Sequence, residues 1–197
     1  WNPSIRKYKK LPSYSLNLSR HRAPFSFGLA YDEFEDDYSF GFGFGYDEFQ
    51  DDYKVVGIFP VLGHIRLDHH AKVKIYSLKN DLWRCIGNFQ GQGLSGGSAK
   101  FFNGKLHWFD EQCNIISIDL ADEKWTELER PCYFEGCKHL ELGVFEGDLS
   151  VFCNYPWTHA DVWVMKEYEV NESWTKMFTI DLPYDPIGCQ GCSFFCT

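Results

Sequence analysis

Short apolar runs separated by tight polar turns recur along the chain, and they predict strands rather than helices. An apolar run, a polar turn and a Trp follow one another three times, at residues 73–84, 115–125 and 162–174. Hairpin patterns precede two of these units, with turns at Asn103-Gly104 and Glu146-Gly147-Asp148. Asn-Gly between apolar runs is a strong hairpin signal because both residues accept a positive φ. Each unit thus holds four short strands, a to d, and a repeat of roughly 40 to 50 residues is typical of β-propeller blades.

A segment rich in Phe, Gly and Asp is duplicated in tandem near the N-terminus. Residues 25–38 are echoed by residues 40–53, and only the second copy runs directly into an apolar strand, at residues 55–59. We therefore predict that the second copy forms a strand and that the first is a looped-out insertion. The blade pattern ends near residue 182, so we expect one all-β domain over residues 1–182, with the duplicated acidic segment at 25–53, and an irregular tail at 183–197.

The charge of the chain is concentrated in the duplicated segment. The net charge is −9, and nine of the 28 acidic residues lie between Tyr31 and Tyr53, where there is no Lys or Arg. A net-acidic chain is a poor binder of nucleic acid, because such binding depends on neutralising phosphates. No apolar run approaches the roughly 20 residues needed to span a bilayer. We therefore expect neither nucleic acid nor a membrane among the partners.

The eight cysteines favour a reducing compartment. Several stand singly inside apolar strand patterns, as Cys85 and Cys153 do, and free Cys behaves as a small buried hydrophobe. No signal peptide is visible, so we expect a cytoplasmic or nuclear protein without structural disulfides. The chain begins with Trp1 in mid-pattern rather than with Met, which indicates a fragment or a truncated product.

Paired acids could suggest catalysis, but their spacing argues against it. Asp51 and Asp52 are adjacent, and adjacent residues on a strand point to opposite faces, so the two cannot flank one glycosidic bond. A solvated acidic loop is the favoured interpretation, with cation binding as an alternative. We expect no catalytic residues, and a carbohydrate-active propeller enzyme stays only a remote alternative.

A cysteine cluster near the C-terminus raises a metal or redox hypothesis. Cys189, Cys192 and Cys196 include one CxxC, whereas structural zinc needs four ligands; Cys132 and Cys137 could complete a set only if the fold brings them there. A frayed tail is the favoured interpretation, so we expect no metal and no cofactor.

Five blocks in a fixed order resemble a known family. The blocks are residues 1–12 (WNPSIRKYKKLP), 42–56 (with FGFGYD and DDYKVV), 73–84, 104–108 and 162–174. In this order they resemble the F-box-associated domain of plant F-box/kelch-repeat proteins, as in S-locus F-box-like proteins. The resemblance implies a partial kelch-like β-propeller that captures a protein substrate for ubiquitination, as the non-catalytic receptor of an SCF-type cullin-RING ligase. An F-box is missing from the pattern, so the Skp-type adaptor and the cullin would be reached only through a full-length parent. A truncated duplicate without any ligase connection is the alternative.

Strand order predicts where a partner would bind. In a four-stranded meander the a–b and c–d turns lie at one end, and here these turns are tight. The longer b–c and d–a segments lie at the other end, and recognition is usually found on such loops. We predict partner contacts at the aromatic and imidazole side chains of these segments: His69, His70, Tyr155, Trp157 and His159. The alternative for Trp157 is packing between blades.

Overall fold

In the part of the chain that the structure describes, the strands form mainly antiparallel sheets and helix is almost absent. The structure, a computed structural model, describes residues 9, 11–12, 41–60, 71–89, 94, 97–131, 137 and 139–182. The strands are β1 (Gly41–Asp47), β2 (Asp52–Pro60), β3 (Ala71–Ser77), β4 (Leu82–Phe89), β5 (Gly97–Ser98), β6 (Lys100–Phe102), β7 (Lys105–Phe109), β8 (Ile115–Asp119), β9 (Trp125–Leu128), β10 (His139–Phe145), β11 (Asp148–Tyr155), β12 (His159–Met165) and β13 (Trp174–Asp181). One 3-10 turn, Asn171–Ser173, precedes β13. Within the described ranges, no helix has the length and apolarity that crossing a membrane requires.

The strands form three sheets in sequential order. Their orders are β4-β3-β2-β1-β5, β6-β7-β8-β9 and β10-β11-β12-β13. Consecutive strands pair antiparallel in each measured register, which confirms the predicted four-stranded meanders. The short strand β5 was not predicted, and it pairs in parallel with the start of β1. The fold class is therefore the expected one, an all-β partial propeller.

The chain divides into two compact units. The first comprises Trp1–Gln112 and Ile116–Thr126, and the second comprises Cys113–Ile115 and Glu127–Thr197. The first unit holds the β1–β5 sheet and most of the β6–β9 sheet, and the second holds the β10–β13 sheet. A buried cluster that includes Val56, Ile75, Leu106 and Trp108 forms the core of the first unit.

The tight turns adopt the backbone that their residues predict. Asn103 and Gly104 have φ values of 48° and 73°, and Glu146 and Gly147 have 51° and 87°, so both a–b hairpins are closed by two left-handed residues. The c–d turn of the second sheet ends in Glu123 at a φ of 62°. These short connections keep neighbouring strands of each sheet close together at the a–b and c–d end.

Alternating glycines on β1 allow the first two sheets to pack closely. A Cβ atom added at Gly41 would stand 2.3 Å from Leu94 Cδ1, and one at Gly43 would stand 2.7 Å from both Ala99 Cβ and Leu106 Cδ1. Successive strand residues point to opposite faces, so the glycines face the second sheet while the Phe residues between them face the other way. β1 belongs to the second copy of the duplicated segment, as expected. The first copy and the tail at 183–197 lie outside the described residues.

Two expectations about buried and exposed side chains were wrong. Cys85 is exposed rather than buried, because it lies on the outer strand β4 of its sheet. The acidic segment is not uniformly solvated, since Asp47 and Asp52 are only 2% and 3% exposed. Both carboxylates are hydrogen-bonded inside the fold, as the next section describes.

Candidate functional site

The candidate partner-binding residues of the third sheet lie on one tight turn. Tyr155 ends β11 and pairs with His159, which begins β12, so only three residues connect the two strands. The sequence pattern predicts a longer b–c segment here, and this expectation was wrong because the strand pairing extends as far as Tyr155 and His159. His69 and His70 lie outside the described residues, so the structure brings together Tyr155, Trp157 and His159 of the predicted set.

Trp157 stands at the apex of this turn and projects outward. Its side chain is 61% exposed, and its φ of 68° lies in the left-handed region that a bulky residue rarely adopts. Left-handed backbone carries a penalty of about 1–2 kcal/mol for an L-residue. The fold therefore holds a large exposed indole at a position where backbone energetics favour a smaller residue.

Hydrogen bonds fix the turn beneath Trp157. The Tyr155 carbonyl accepts from the Thr158 backbone N–H at 3.2 Å and from the Thr158 hydroxyl at 3.0 Å. The Thr158 carbonyl accepts from the Leu182 N–H at 3.1 Å, which ties the turn to the end of β13. A turn held at both ends presents Trp157 with little freedom to move away.

The rings of Tyr155 and His159 stack beside the turn. Their centroids are 4.4 Å apart with an interplanar angle of 17°. Burial, together with the nearby Cys153, Asp161 and Cys137 groups, raises the pKa of Tyr155 to about 12, so its phenol stays protonated at neutral pH. Together with the exposed Trp157, these side chains give the turn a surface of two aromatic rings and an imidazole.

A buried carboxylate supports this surface from below. Asp161 is 4% exposed, accepts a hydrogen bond from the Thr179 hydroxyl at 2.5 Å, and lies 3.3 Å from Lys176 Nζ. Its Oδ2 atom is 3.8 Å from His159 Nε2. Lys176 Nζ also lies 5.9 Å from the ring centroid of Trp163. Because Lys176 and Thr179 belong to β13, Asp161 links the middle and outer strands directly behind the aromatic surface.

The two thiols near this site are Cys153, which is a core residue, and Cys137, which is partly buried. Cys137 donates to the His139 carbonyl at 3.2 Å, and its side chain hydrogen-bonds with that of Cys153, which is fully buried. Burial raises the pKa of both thiols, which disfavours the thiolate that metal binding and redox chemistry require. Cys132 and the three C-terminal cysteines lie outside the described residues. Within the described part of the chain, no three His, Cys, Asp or Glu side chains are arranged to hold a metal ion.

A second polar cluster, which the sequence did not predict, lies at the β1–β2 turn. Lys54 Nζ is 2.6 Å from Asp47 Oδ2 and donates to the Leu120 carbonyl at 2.7 Å. The other Asp47 oxygen accepts from the backbone N–H groups of Phe49 and Gln50 at 2.9 and 3.2 Å. Burial alone would raise the pKa of Asp47, but these hydrogen bonds outweigh it and the pKa is lowered.

Asp52, the cross-strand partner of Asp47 at the same turn, plays a similar role. It accepts from the Ser77 hydroxyl at 2.5 Å and from the Lys79 backbone N–H at 2.8 Å, so it joins the β1–β2 turn to the β3–β4 turn. Asp51, its neighbour in sequence, is exposed. The two acids that might have formed a catalytic pair thus have different environments, and the buried one is structural.

These features define a class of protein first, an all-β chain built from four-stranded antiparallel sheets of the propeller type. The sequence profile described as "F-box associated beta propeller domain" matches residues 1–197, and the chain belongs to this family. In Arabidopsis thaliana it is similar to F-box/kelch-repeat protein At3g23880, with 32% identity over 91% of this chain and 46% of the relative. It is also similar to F-box protein CPR1 of the same plant, with 30% identity over 93% of this chain and 48% of the relative. The chain spans about half the length of the curated relatives it matches.

Proposed function

We propose that this chain recognises a protein substrate for an SCF-type cullin-RING E3 ubiquitin ligase. Its relatives At3g23880 and CPR1 are F-box proteins by name, and the family is the F-box associated propeller. An F-box in a full-length parent would connect the domain to a Skp-type adaptor and a cullin. The domain itself would act without chemistry of its own, in the cytoplasm or nucleus, while other subunits transfer ubiquitin.

The exposed Trp157 is the observation that carries this proposal. Trp and Tyr are favoured anchors of protein interfaces because they bury much area with few rotatable bonds. Trp157 is 61% exposed on a hydrogen-bonded turn, and the stacked Tyr155 and His159 rings lie beside it. A partner that covers these three rings would gain apolar burial without having to order a loop first.

Affinity purification of the full-length parent tests the proposal. With proteasome inhibition, the parent should enrich adaptor, cullin and at least one further protein that disappears when the proteasome is active. Changing Trp157 and Tyr155 to Ala should reduce recovery of that further protein by at least about tenfold, the typical loss at an interface anchor. Recovery of adaptor and cullin should stay unchanged, because those contacts belong to the F-box.

Two outcomes would contradict the proposal. The first is a parent that enriches no adaptor or cullin, which would favour a duplicate disconnected from the ligase. The second is undiminished substrate recovery with the Ala variants, which would remove the β11–β12 turn as the binding surface.

A further inference from the structure

Two turns at the same end of the first sheet carry equivalent sets of side chains. We name them the inner set (Tyr46, Asp51 and Tyr53, at the β1–β2 turn) and the outer set (Tyr76, Asp81 and Trp83, at the β3–β4 turn). In each set the two aromatic residues are cross-strand partners, with ring centroids 4.9 Å apart in the inner set and 5.3 Å apart in the outer set. In each set the Asp follows the Tyr by five residues and accepts a hydrogen bond from its hydroxyl. The Asp residues have φ values of 52° and 56°, so the turns share one backbone conformation as well.

Both sets lie on the same face of the sheet. One row of cross-strand partners runs through Phe44, Val55, Tyr76 and Trp83. The tyrosines of the inner set stand two residues along their strands from Phe44 and Val55, so they share that face. This face is opposite to the glycines that pack against the second sheet.

The outer set binds a cation supplied by the chain itself. Lys9 Nζ lies 2.9 Å from Asp81 Oδ1 and 5.8 Å from the ring centroid of Tyr76. Three residues further along, the Pro12 carbonyl accepts a hydrogen bond from Trp83 Nε1 at 3.2 Å. Hydrogen bonds to Asp81 and Tyr76 raise the pKa of Lys9, and those from Lys9 and Tyr76 lower the pKa of Asp81. The outer set thus recognises an ammonium group and a backbone carbonyl of one segment.

The inner set offers the same groups to solvent. Tyr53 is 47% exposed, and Phe44, which stacks on it at 5.4 Å with an interplanar angle of 1°, is 58% exposed. Glu48 and Asp51 on the adjoining turn are both exposed, and Phe49 between them is 88% exposed. Aromatic faces and carboxylates both attract cations, and a Lys or Arg stem can lie along the rings while its head reaches the acid.

We propose that the inner set, with Phe44 and Glu48, docks a Lys- or Arg-bearing extended segment of a partner protein. The proposal rests on the equivalent outer set, which already holds Lys9 of the same chain in this way. Charge complementarity selects the occupant, since the exposed turn carries Glu48 and Asp51. This surface shares no residue with the Trp157 turn, so the docking proposal can be tested independently of the ligase proposal.

A peptide with the sequence of residues 6–12, RKYKKLP, is the direct probe. Added to the 197-residue chain, it should shift the amide resonances of the β1–β2 turn in a saturable titration. A matched peptide with every Lys and Arg replaced by Gln should not do so. The affinity should also fall as salt is raised, because exposed charge pairs are screened.

Isosteric variants distinguish the inner set from its neighbours. Asp51→Asn should weaken peptide binding about three- to fivefold, the upper part of the range expected from losing one exposed charged partner of the cation. Asn tolerates left-handed backbone, so the fold should be kept. Asp122→Asn, which removes an exposed charge from the β8–β9 turn, should leave the affinity within about twofold.

Three results would overturn the proposal. One is equal affinity for the native chain and Asp51→Asn, and another is equal binding of the Gln peptide. The third is a chain that self-associates through this face in sedimentation equilibrium and excludes the peptide, which would make a second copy the occupant.

Discussion

Lys54 Nζ lies 2.6 Å from Asp47 Oδ2, and both side chains are almost completely buried. Lys54 also donates to the Leu120 carbonyl at 2.7 Å, so this ion pair joins the first sheet to the second within the first unit. A buried pair of this kind gains little over an apolar pair, but losing one partner leaves an uncompensated charge. The pair therefore makes the arrangement of these strands sensitive to a single substitution.

Lys54→Met should be strongly destabilising for that reason. We expect the free energy of unfolding to fall by about 3–5 kcal/mol, because Asp47 would keep its burial and lose its cation. Lys124→Met is the matched control: Lys124 pairs with Asp122 at 2.7 Å, but its side chain is 77% exposed. That loss should be at most about 1 kcal/mol. Urea denaturation of the three proteins measures the difference, and equal losses in the two variants would refute the role given to the buried pair.

The same pair predicts how stability responds to acid. The pKa of Asp47 is lowered in the folded state, whereas an unfolded Asp titrates near about 3.9. Its stabilisation is therefore fully present above that unfolded value and is lost as pH falls through the lower folded pKa. Asp47→Asn should be less stable than the native chain at pH 7. It should also show a shallower fall of the unfolding free energy below about pH 4.

Denaturation curves collected between pH 7 and pH 2 check this. Parallel pH profiles for the native chain and Asp47→Asn would show that Asp47 does not contribute to acid unfolding. Asp122→Asn is a suitable control because Asp122 is exposed and paired only on the surface.

The glycines of β1 explain why the second copy of the duplicated segment suits this strand. Counting along the two copies, Ser26 and Ala30 of the first stand where Gly41 and Gly45 stand in the second. A Cβ at Gly45 would lie 2.4 Å from Phe101 Cδ2 and 2.6 Å from Leu120 Cδ1. The double variant Gly41→Ser with Gly45→Ala should therefore lose about 1–3 kcal/mol of stability through overpacking.

The first copy also supplies the control for this experiment. It has Leu29 where β1 has Phe44, which is 58% exposed on the opposite face. Phe44→Leu should change the free energy of unfolding by no more than about 0.5 kcal/mol, as surface substitutions usually do. Thermal or urea unfolding of both variants measures the two changes in the free energy of unfolding. A neutral double variant would mean that the two sheets can separate to admit the extra atoms.

Sequence patterns predicted the features of this fold that depend on near neighbours. The turn at Asn103 and Gly104 follows from two residues that accept positive φ, and the alternation along β1 follows from its own composition. The burial of Asp47 could not be predicted from near neighbours. It depends on Lys54, which in turn bonds to Leu120, 66 residues after Lys54. An acidic segment predicts solvent-exposed carboxylates as long as the residues that bury one of them are not known from the sequence.

The same distinction between local pattern and distant contacts applies to the candidate site. The strand pattern placed Tyr155, Trp157 and His159 at the b–c end of their sheet, because strand order fixes which turns share an end. The stacking of Tyr155 on His159 and the support from Asp161 could not be predicted, since these depend on register and on the outer strand. The repeated Tyr–Asp–aromatic turns could have been found by comparing residues 46–53 with 76–83, which share the spacing but little else.

Trp157 offers a test that separates function from stability. Asn tolerates the left-handed backbone at this position better than Trp does, and the indole is 61% exposed, so little burial is lost on replacement. Trp157→Asn should leave the free energy of unfolding unchanged or raise it by up to about 1 kcal/mol. Substrate recovery by the full-length parent should nevertheless fall at least about tenfold. Met177→Ala, at another exposed apolar position of the same sheet, should leave recovery unchanged. A residue kept only for folding would show the reverse pattern, with Trp157→Asn unfolding at lower urea and recovery intact.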